Sequence, residues 1–85
     1  MFMVTVKLFG MLKILANNQS EVTLALNGSM QVKDLVVALE DQYPEIGELI
    51  HKKKVLVSVN QDIAQWDTTI GIGDQVALLP PFAGG

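Results

Sequence analysis

Apolar and polar residues alternate along several short stretches of the chain, with the period of two that is typical of strands with one buried face. The first stretch runs from Met3 to Leu8, and the second runs from Ser20 to Leu26 before a turn at Asn27-Gly28. Three later stretches continue the pattern: Val55–Val59, Ile63–Trp66 and Gln75–Leu79. The pattern therefore predicts five strands.

A helical period separates the second and third of these strands. We expect the helix to begin near Ser29 or Gln31 and to end before Pro44, which disfavours helical angles in the residue before it. Residues 45–50 predict one more short turn, and residues 9–16 predict a loop with a short helical turn. The apolar residues of the main helix form one stripe: Val32, Leu35, Val36 and Leu39.

The predicted order is strand, strand, helix, strand, short strand, strand. A single helix cannot cover both faces of a five-stranded sheet, so we expect an α+β fold with the helix across one face. By alternation, the other face carries the side chains of Ala25, Leu56, Ala77 and Leu79. These are either scattered surface hydrophobes, which are common, or a docking patch, which the high apolar content favours.

The composition limits the classes of function. The 85 residues suffice for one domain, and 49% of them are hydrophobic, which is more than a small core absorbs. A net charge of −3 without any arginine argues against nucleic-acid binding. The lack of cysteine excludes disulfides, thiolate chemistry and cysteine-based metal sites, and the single histidine, His51, cannot build a histidine cluster. Because no long apolar run or basic leader is present, we expect a soluble cytoplasmic protein.

Three further features favour structural interpretations over functional ones. Lys52, Lys53 and Lys54 could contact an acidic partner, but lysines after a helix more often stay solvated and complement its dipole. Gly71-x-Gly73 lacks the strand-to-helix context and the lysine of a phosphate loop, so it predicts a turn. His51 has no acid–base partner beside it in sequence, and we expect a surface residue without a catalytic role.

The end of the chain differs from the rest, and we divide the chain into a domain at residues 1–79 and an extended tail at residues 80–85. Pro80 and Pro81 have fixed φ angles and no N–H group. They cannot continue a sheet ladder, and we expect them to hold the tail stiff and extended.

The tail admits two interpretations. Gly84 and Gly85 lack a Cβ atom and can pass where side chains would clash, so the tail could deliver a terminal carboxylate to a partner. Chain ends are also commonly frayed and tolerant of glycine. The proline pair and the apolar Phe82 make the two interpretations about equally favoured from the residues alone.

Three stretches together carry a family resemblance: the Val59-Asn60-Gln61 turn, Gly73-Asp74-x-Val76-Ala77, and Pro80-Pro81-x-x-Gly84-Gly85. With the order of elements, they resemble the MoaD-type sulfur carriers, ubiquitin-like β-grasp proteins typified by the small subunit of molybdopterin synthase. The resemblance spans essentially the whole chain and is most specific after residue 72. A terminal Gly-Gly is shared by all ubiquitin-like carriers, whereas Pro-Pro points to the molybdopterin branch. Phe82 departs from the smaller aliphatic residue expected there, which bears on the partner's pocket.

This resemblance implies a β-grasp fold, with a mixed five-stranded sheet and one main helix packed on one face. It also implies that Gly85 is the reactive residue. An ATP-using adenylyltransferase, similar to ubiquitin-activating enzymes, would adenylate its carboxylate, and a sulfur donor protein would convert it to a thiocarboxylate. Within the large subunit of molybdopterin synthase, the sulfur would then pass to a pterin precursor.

The resemblance also assigns roles to other residues. The tail residues Pro80, Pro81, Phe82, Ala83 and Gly84 would insert into the partner's active site. Independently of the resemblance, alternation and the apolar composition make Leu79, Ala77 and Leu56, beside the root of the tail, the possible docking patch. The chain would bind no cofactor or metal of its own, because ATP is used by the activating partner, and it would not be catalytic alone.

Two other classes of function stay open. One is a related carrier for another pathway, such as thiazole formation, cysteine synthesis or tRNA thiolation, or a modifier conjugated to lysines. The other is a non-covalent interaction module with an incidental tail. We expect neither nucleic acid nor a membrane among the partners.

Overall fold

The computed structural model describes residues 2–26 and 30–80. Strands and helices follow one another along these residues in an order that begins with a hairpin interrupted by a short helix. The elements are β1 (Phe2–Leu8), α1 (Met11–Leu15), β2 (Glu21–Leu26), β3 (Met30–Gln31), α2 (Val32–Gln42), α3 (Pro44–His51), β4 (Leu56–Val59), β5 (Asp62–Ile63), β6 (Thr69–Ile70) and β7 (Val76–Leu79).

The main sheet has five strands in the order β2-β1-β7-β4-β5. The β1–β7 pair is parallel, with Leu8 opposite Leu78, whereas the β1–β2, β4–β7 and β4–β5 pairs are antiparallel. A separate two-stranded sheet joins β3 to β6. The expected α+β architecture with a mixed five-stranded sheet is therefore confirmed, and β7, the last strand in sequence, lies at its centre.

A full helix, α3, follows α2 where a short turn was predicted, and both helices contribute to the core. Pro44 is the first residue of α3, a position where a missing N–H group costs nothing, and α3 is eight residues long. A Cβ atom on Gly47 would collide with Cβ of Glu40, so glycine lets α3 approach α2 closely. Of the two expected starts for α2, Gln31 is the N-cap: its N–H donates to Oδ2 of Asp34 at 3.0 Å.

The strand predicted at Ile63–Trp66 is wrong in its extent. The β5 strand ends at Ile63, and the chain then turns to cover the start of α2. The carbonyls of Trp66 and Thr68 accept the N–H groups of Lys33 and Val32, at 3.0 and 2.9 Å. Because the first N–H groups of a helix have no partner within it, these bonds favour the turn over a longer strand.

One hydrophobic cluster fills the space between the sheet and the helices. Along β2 every second residue is buried, namely Val22, Leu24 and Leu26, and Val76 and Leu78 of β7 are buried in the same way. The predicted apolar stripe of α2, at Val32, Leu35, Val36 and Leu39, is fully buried as well. Among the described ranges, no helix has the length and apolarity needed to cross a membrane.

Replacing Leu35 by alanine should lower the free energy of unfolding by about 2–5 kcal/mol, because it opens a cavity in the core. Leu35 is 0% exposed, whereas Val37, two residues on, is 62% exposed. The matched change Val37→Ala should alter the free energy by less than about 0.5 kcal/mol. Urea unfolding of both variants, followed by circular dichroism, measures the difference; equal losses would contradict the burial of Leu35.

Candidate functional site

The site begins at the point where the tail leaves the sheet. The β7 strand pairs with β1 on one side and with β4 on the other, and Leu79 lies opposite Leu56 at its end. Val76 and Leu78 are buried on the helix side, so Ala77 and Leu79 face the open side. The tail therefore starts from a strand that neighbours hold on both edges, which fixes the position of its first residue.

Four apolar side chains surround this exit, and we call them the tail-root patch: Phe9, Leu56, Ala77 and Leu79. Phe9 is 46% exposed and Leu56 is 41% exposed, while Ala77 and Leu79 are half-buried. A shallow depression of about 340 Å³ runs along this face, and polar side chains line part of it: Lys7, Ser58, Gln61 and Gln75. The patch is thus an apolar area with a polar margin, the composition expected of a docking surface.

The structure tests the predicted positions on the open face. Ala25, Leu56, Ala77 and Leu79 are all exposed or half-buried, as alternation predicted. Ala25, however, lies on β2, two strands away from β7, and does not belong to the patch. Whether the other three bind a partner stays a prediction.

Sequence reasoning missed Phe9 because it follows β1 in a stretch predicted to be a loop. The parallel register places Leu8 beside Leu78, which brings Phe9 close to Leu79 in the depression. This pairing joins residues about 70 positions apart in the sequence. The alternation of β1, continued by one residue, was the available signal.

A hydrogen-bonded loop holds the beginning of β7. The N–H of Asn60 donates to the carbonyl of Gln75 at 2.7 Å, and the N–H of Gln75 donates to Oδ1 of Asn60 at 2.9 Å. The side-chain amide of Asn60 also donates to Oδ1 of Asp74 at 3.1 Å. Asn60 and Gln61 both have positive φ angles, as the two-residue turn between β4 and β5 requires. Asn60 thus ties that turn to the strand that carries the tail.

Asp74 completes this loop by closing the preceding turn. Its Oδ2 accepts the N–H of Gly71 at 2.7 Å, and Gly73 has a φ of 88°, a left-handed conformation that suits glycine. The hydrogen bonds from Gly71 and then from Asn60 lower the pKa of the Asp74 carboxyl below its ordinary value. The Gly71–Asp74 segment is therefore a turn, as predicted, and not a phosphate loop.

The remaining tail residues have no described geometry. Pro80 is half-buried at the end of β7. The roles predicted for Pro81, Phe82, Ala83, Gly84 and Gly85 fall on residues outside the described ranges. These roles, and the reactivity of the Gly85 carboxylate, stay predictions.

The histidine and the lysine cluster lie at the end of α3. The Nε2 atom of His51 is 3.2 Å from Oε2 of Glu40, and its ring stacks on Trp66 with centroids 5.4 Å apart. Lys52 pairs with Glu48 at 2.7 Å, and this hydrogen bond and charge lower the pKa of the Glu48 carboxyl. His51 is exposed at the surface, as expected, although its acidic neighbour comes from α2, which the sequence did not reveal.

Within residues 2–26 and 30–80, no group of histidine, aspartate or glutamate side chains is arranged to hold a metal ion. No buried side-chain nitrogen or oxygen in these ranges lacks a hydrogen-bond partner. The chemistry predicted for the chain is assigned to Gly85, which lies outside the described ranges.

Comparison of the sequence with models of known protein families identifies the family of this chain. The model described as the ThiS family matches residues 6–85, which includes the patch, the Asn60 loop and the tail. The chain belongs to the ThiS family. The predicted membership in the small ubiquitin-like sulfur carriers is thereby confirmed.

Individual relatives of this ThiS-family chain carry different descriptions. It is 33% identical to the molybdopterin synthase sulfur carrier subunit of Mycobacterium tuberculosis over 85 residues, the whole of both chains. The crystal structure of SAMP1 from Haloferax volcanii matches with a TM-score of 0.79 and 26% identity, covering 99% of this chain and 100% of that one. This likeness confirms the β-grasp fold.

A third match is a complex. It is the assembly of subunits 1 and 2 of the molybdopterin-converting factor from Helicobacter pylori. The matching chain is 25% identical, with a TM-score of 0.67, and the match covers 99% of this chain and 100% of that one. A structural neighbour of this ThiS-family chain is thus seen bound to a partner subunit.

The hydrogen bonds of Asp74 predict an acid-dependent loss of stability. Because its pKa is lower in the folded than in the unfolded chain, Asp74 stabilises the fold above the unfolded pKa, near pH 4, and this contribution disappears as the pH falls through the folded pKa. The variant Asp74→Asn should be less stable at pH 7 and should lose less stability than the wild type between pH 6 and pH 3. Urea midpoints at both pH values measure this.

The control for this prediction is Asp62→Asn, which removes one exposed carboxylate from the β4–β5 hairpin. No hydrogen bond or ion pair of the Asp62 side chain occurs within the described part of the chain. This variant should keep the acid sensitivity of the wild type. If Asp74→Asn and the wild type were equally sensitive to acid, the proposed hydrogen-bond network would not stabilise the fold.

Proposed function

We propose that this chain is the sulfur-carrier subunit of a molybdopterin synthase and that the carboxylate of Gly85 carries the sulfur. The observation that supports this most is the exit of the tail from the central strand beside an apolar patch, in a chain that is 33% identical over its full length to a curated sulfur carrier of that pathway. The Pro80-Pro81 pair and the two terminal glycines support the same proposal.

The chemistry proposed at Gly85 has two steps. Its carboxylate attacks the α-phosphate of ATP in an activating enzyme, which releases pyrophosphate and leaves an acyl-adenylate. Hydrosulfide, which a donor protein releases, then attacks the acyl carbon and expels AMP, which forms the thiocarboxylate and releases a proton. Activation is needed because a carboxylate is a poor electrophile and AMP is a much better leaving group than oxide.

The sulfur is next delivered to a pterin precursor bound by the large subunit. The six residues from Pro80 to Gly85 can span about 20 Å when extended, far enough to enter a buried active site. Pro80 and Pro81 restrict the free tail, so less conformational entropy is lost on insertion. After the transfer, water restores the carboxylate, and the carrier can be activated again.

The tail-root patch serves the same proposal as the docking surface. An apolar area around the exit of the tail positions the carrier so that the tail enters the partner in one direction. Phe9 extends this surface beyond the residues predicted from the sequence, Leu56, Ala77 and Leu79. On this proposal, the patch supplies most of the energy of binding to the large subunit, and the role of the tail is to carry the reactive atom.

A second candidate function is supported by the likeness to SAMP1, whose TM-score of 0.79 lies between those of two molybdopterin-converting factor chains, 0.67 and 0.83. On this alternative, the activated Gly85 is transferred to lysines of other proteins, or its sulfur serves another pathway. Both candidates share the adenylation step and differ only in the acceptor. A non-covalent interaction module would need neither adenylation nor a covalent acceptor.

Intact mass spectrometry tests the shared step. After incubation with the cognate activating enzyme, ATP and sulfide, we expect the mass to rise by the difference between one sulfur and one oxygen atom. Deletion of Gly85 should abolish the change, because the next carboxylate no longer reaches the activating site. No change of mass, with an enzyme shown to adenylate another carrier, would contradict both carrier functions.

The acceptor distinguishes the two candidates. The thiocarboxylated chain is mixed with a molybdopterin synthase large subunit and the pterin precursor, and in parallel with lysine-bearing proteins and the activating enzyme. Transfer of sulfur to the pterin supports the proposal. Isopeptide-linked products without such transfer would support the modifier instead.

The patch and the tail residue Phe82 give a separate prediction. Leu56→Asp and Phe82→Asp should each weaken binding to the large subunit at least about tenfold, because each places a charge in an apolar contact. The thermal midpoint of Phe82→Asp should stay nearly unchanged, in contrast to that of Leu35→Ala. Calorimetric titration and thermal unfolding measure the two effects.

The matched control is Thr23→Asp, which adds the same charge to the open face on β2, two strands away from β7. It should bind the large subunit like the wild type. If Thr23→Asp and Leu56→Asp weakened binding equally, the loss would reflect net charge and not the patch. A large fall in the midpoint of Phe82→Asp would show that Phe82 packs within the fold.

A further inference from the structure

A second surface lies at the edge of the sheet, between the edge strand β2 and the helix α2. A groove of about 550 Å³ runs there, larger than the depression beside the tail. Ala25, Leu26, Met30, Val37 and Ala38 form its apolar lining. The charged residues along it are all acidic: Asp34, Glu40 and Asp41.

The edge of β2 that faces this groove has free backbone groups. The N–H of Leu8 donates to the carbonyl of Ser20 at 2.9 Å, which sets the alternation of the antiparallel β1–β2 ladder. Ser20 and every second residue after it therefore bond to β1. The N–H and C=O groups of Glu21, Thr23 and Ala25 point outward, and none of the described residues pairs with them.

This edge lacks the usual protection against pairing. Proteins commonly shorten an edge strand or place proline, lysine or a bulge on it. The opposite edge, β5, has only two residues, whereas β2 has six residues, Glu21–Leu26, in unbroken register with β1 and without proline or lysine. An unprotected edge beside an apolar groove is the arrangement that accepts an added strand.

The acidic side chains of the groove determine which charge an added strand must carry. Glu40 is paired with His51 at 3.2 Å, and one oxygen of Asp34 accepts the N–H of Gln31. The other Asp34 oxygen remains available, and Asp41 makes no hydrogen bond or ion pair within the described ranges. Asp34 and Asp41 lie seven residues apart on α2, or about 10 Å along the helix, with the exposed Val37 between them.

We propose that this groove binds an extended segment of a partner protein, which adds a strand to β2. Alternate residues of a strand face the same side and are about 6.6 Å apart, so residues i, i+2 and i+4 face α2. The apolar residue at i+2 contacts Val37 and Ala38, and lysine or arginine at i and i+4 pairs with Asp34 and Asp41. The segment recognised therefore has the pattern basic-x-apolar-x-basic.

This binding is independent of the tail chemistry. The β1 strand separates β2 from β7, and the groove residues belong to α2, β2 and β3, none of which contributes to the tail-root patch. A partner in the groove therefore leaves the patch uncovered. The inference holds whether or not the chain is a sulfur carrier.

The test uses the full ¹⁵N-labelled chain and a capped pentapeptide of lysine, threonine, isoleucine, threonine and lysine. We expect saturable amide shifts at Glu21, Thr23, Ala25 and Val37, with a Kd of about 1 mM or tighter, as suits one short strand. A peptide with glutamate in place of both lysines should not bind.

Variants of the chain test the two parts of the proposed recognition separately, namely the charge pairing and the added strand. The double change Asp34→Lys and Asp41→Lys should weaken the lysine peptide about five- to tenfold. Its control, Asp62→Lys with Asp67→Lys, changes the net charge equally without altering a residue that lines the groove. Ala25→Pro removes an outward N–H group and should abolish binding while the spectrum stays that of a folded chain.

Several outcomes would overturn the proposal. These are the absence of saturable shifts, shifts centred on Phe9 and Leu79, or equal affinity of the two double variants. Shifts of the β2 amides with protein concentration alone, accompanied by dimers in sedimentation, would show that a second copy occupies the edge. Thiocarboxylate formation by the Asp34→Lys, Asp41→Lys variant, measured in parallel, separates this outcome from any failure of the carrier function.

Discussion

The fold depends on the burial of the last strand at the centre of the sheet. The β7 strand exchanges hydrogen bonds with β1 in parallel and with β4 in antiparallel orientation. Its own residues Val76 and Leu78 are almost completely buried on the helix side. Displacing β7 would break two ladders and open the core, so the rest of the domain holds in place the strand from which the tail starts.

The loop before β7 fixes the strand at its other end. Asn60 and Asp74 connect the β4–β5 turn to the Gly71–Asp74 turn by side-chain hydrogen bonds, which replace ladder bonds that the turning backbone cannot make. Asparagine suits this position because it tolerates a positive φ and carries both a donor and an acceptor. The residues that carry the family resemblance in this loop therefore have a structural reason for their identity.

Much of the fold follows from residue periodicity alone. Alternation located β1, β2, β4 and β7, and the apolar stripe located α2, because each of these elements buries one face in the single core. The errors occurred where backbone hydrogen bonds or close packing between helices, and not a local period, decide the structure. Trp66 and Thr68 leave the sheet to cap α2, and the continuation of α3 to His51 depends on a close approach at Gly47.

The candidate site likewise has one part that local patterns predicted and another that depends on tertiary contacts. The open-face positions of Leu56, Ala77 and Leu79 followed from alternation, whereas Phe9 and the pairing of His51 with Glu40 arise from contacts between residues distant in sequence. No local pattern encodes such contacts. The groove beside β2 could not be predicted for a related reason, since it exists only because β2 lies at the edge of the sheet, and strand order is a tertiary property.

Charge is distributed unevenly over these surfaces, and the distribution has a consequence for binding. The groove beside β2 is lined by acidic residues, whereas Lys52, Lys53 and Lys54 extend from the end of α3, and the tail-root patch is largely apolar. A partner selected by basic residues therefore gains nothing at the patch, and an apolar partner gains little at the acidic groove. Because the two proposed docking surfaces differ in charge and lie on different elements, they would bind partners of different chemistry, and a partner at one would not compete with a partner at the other.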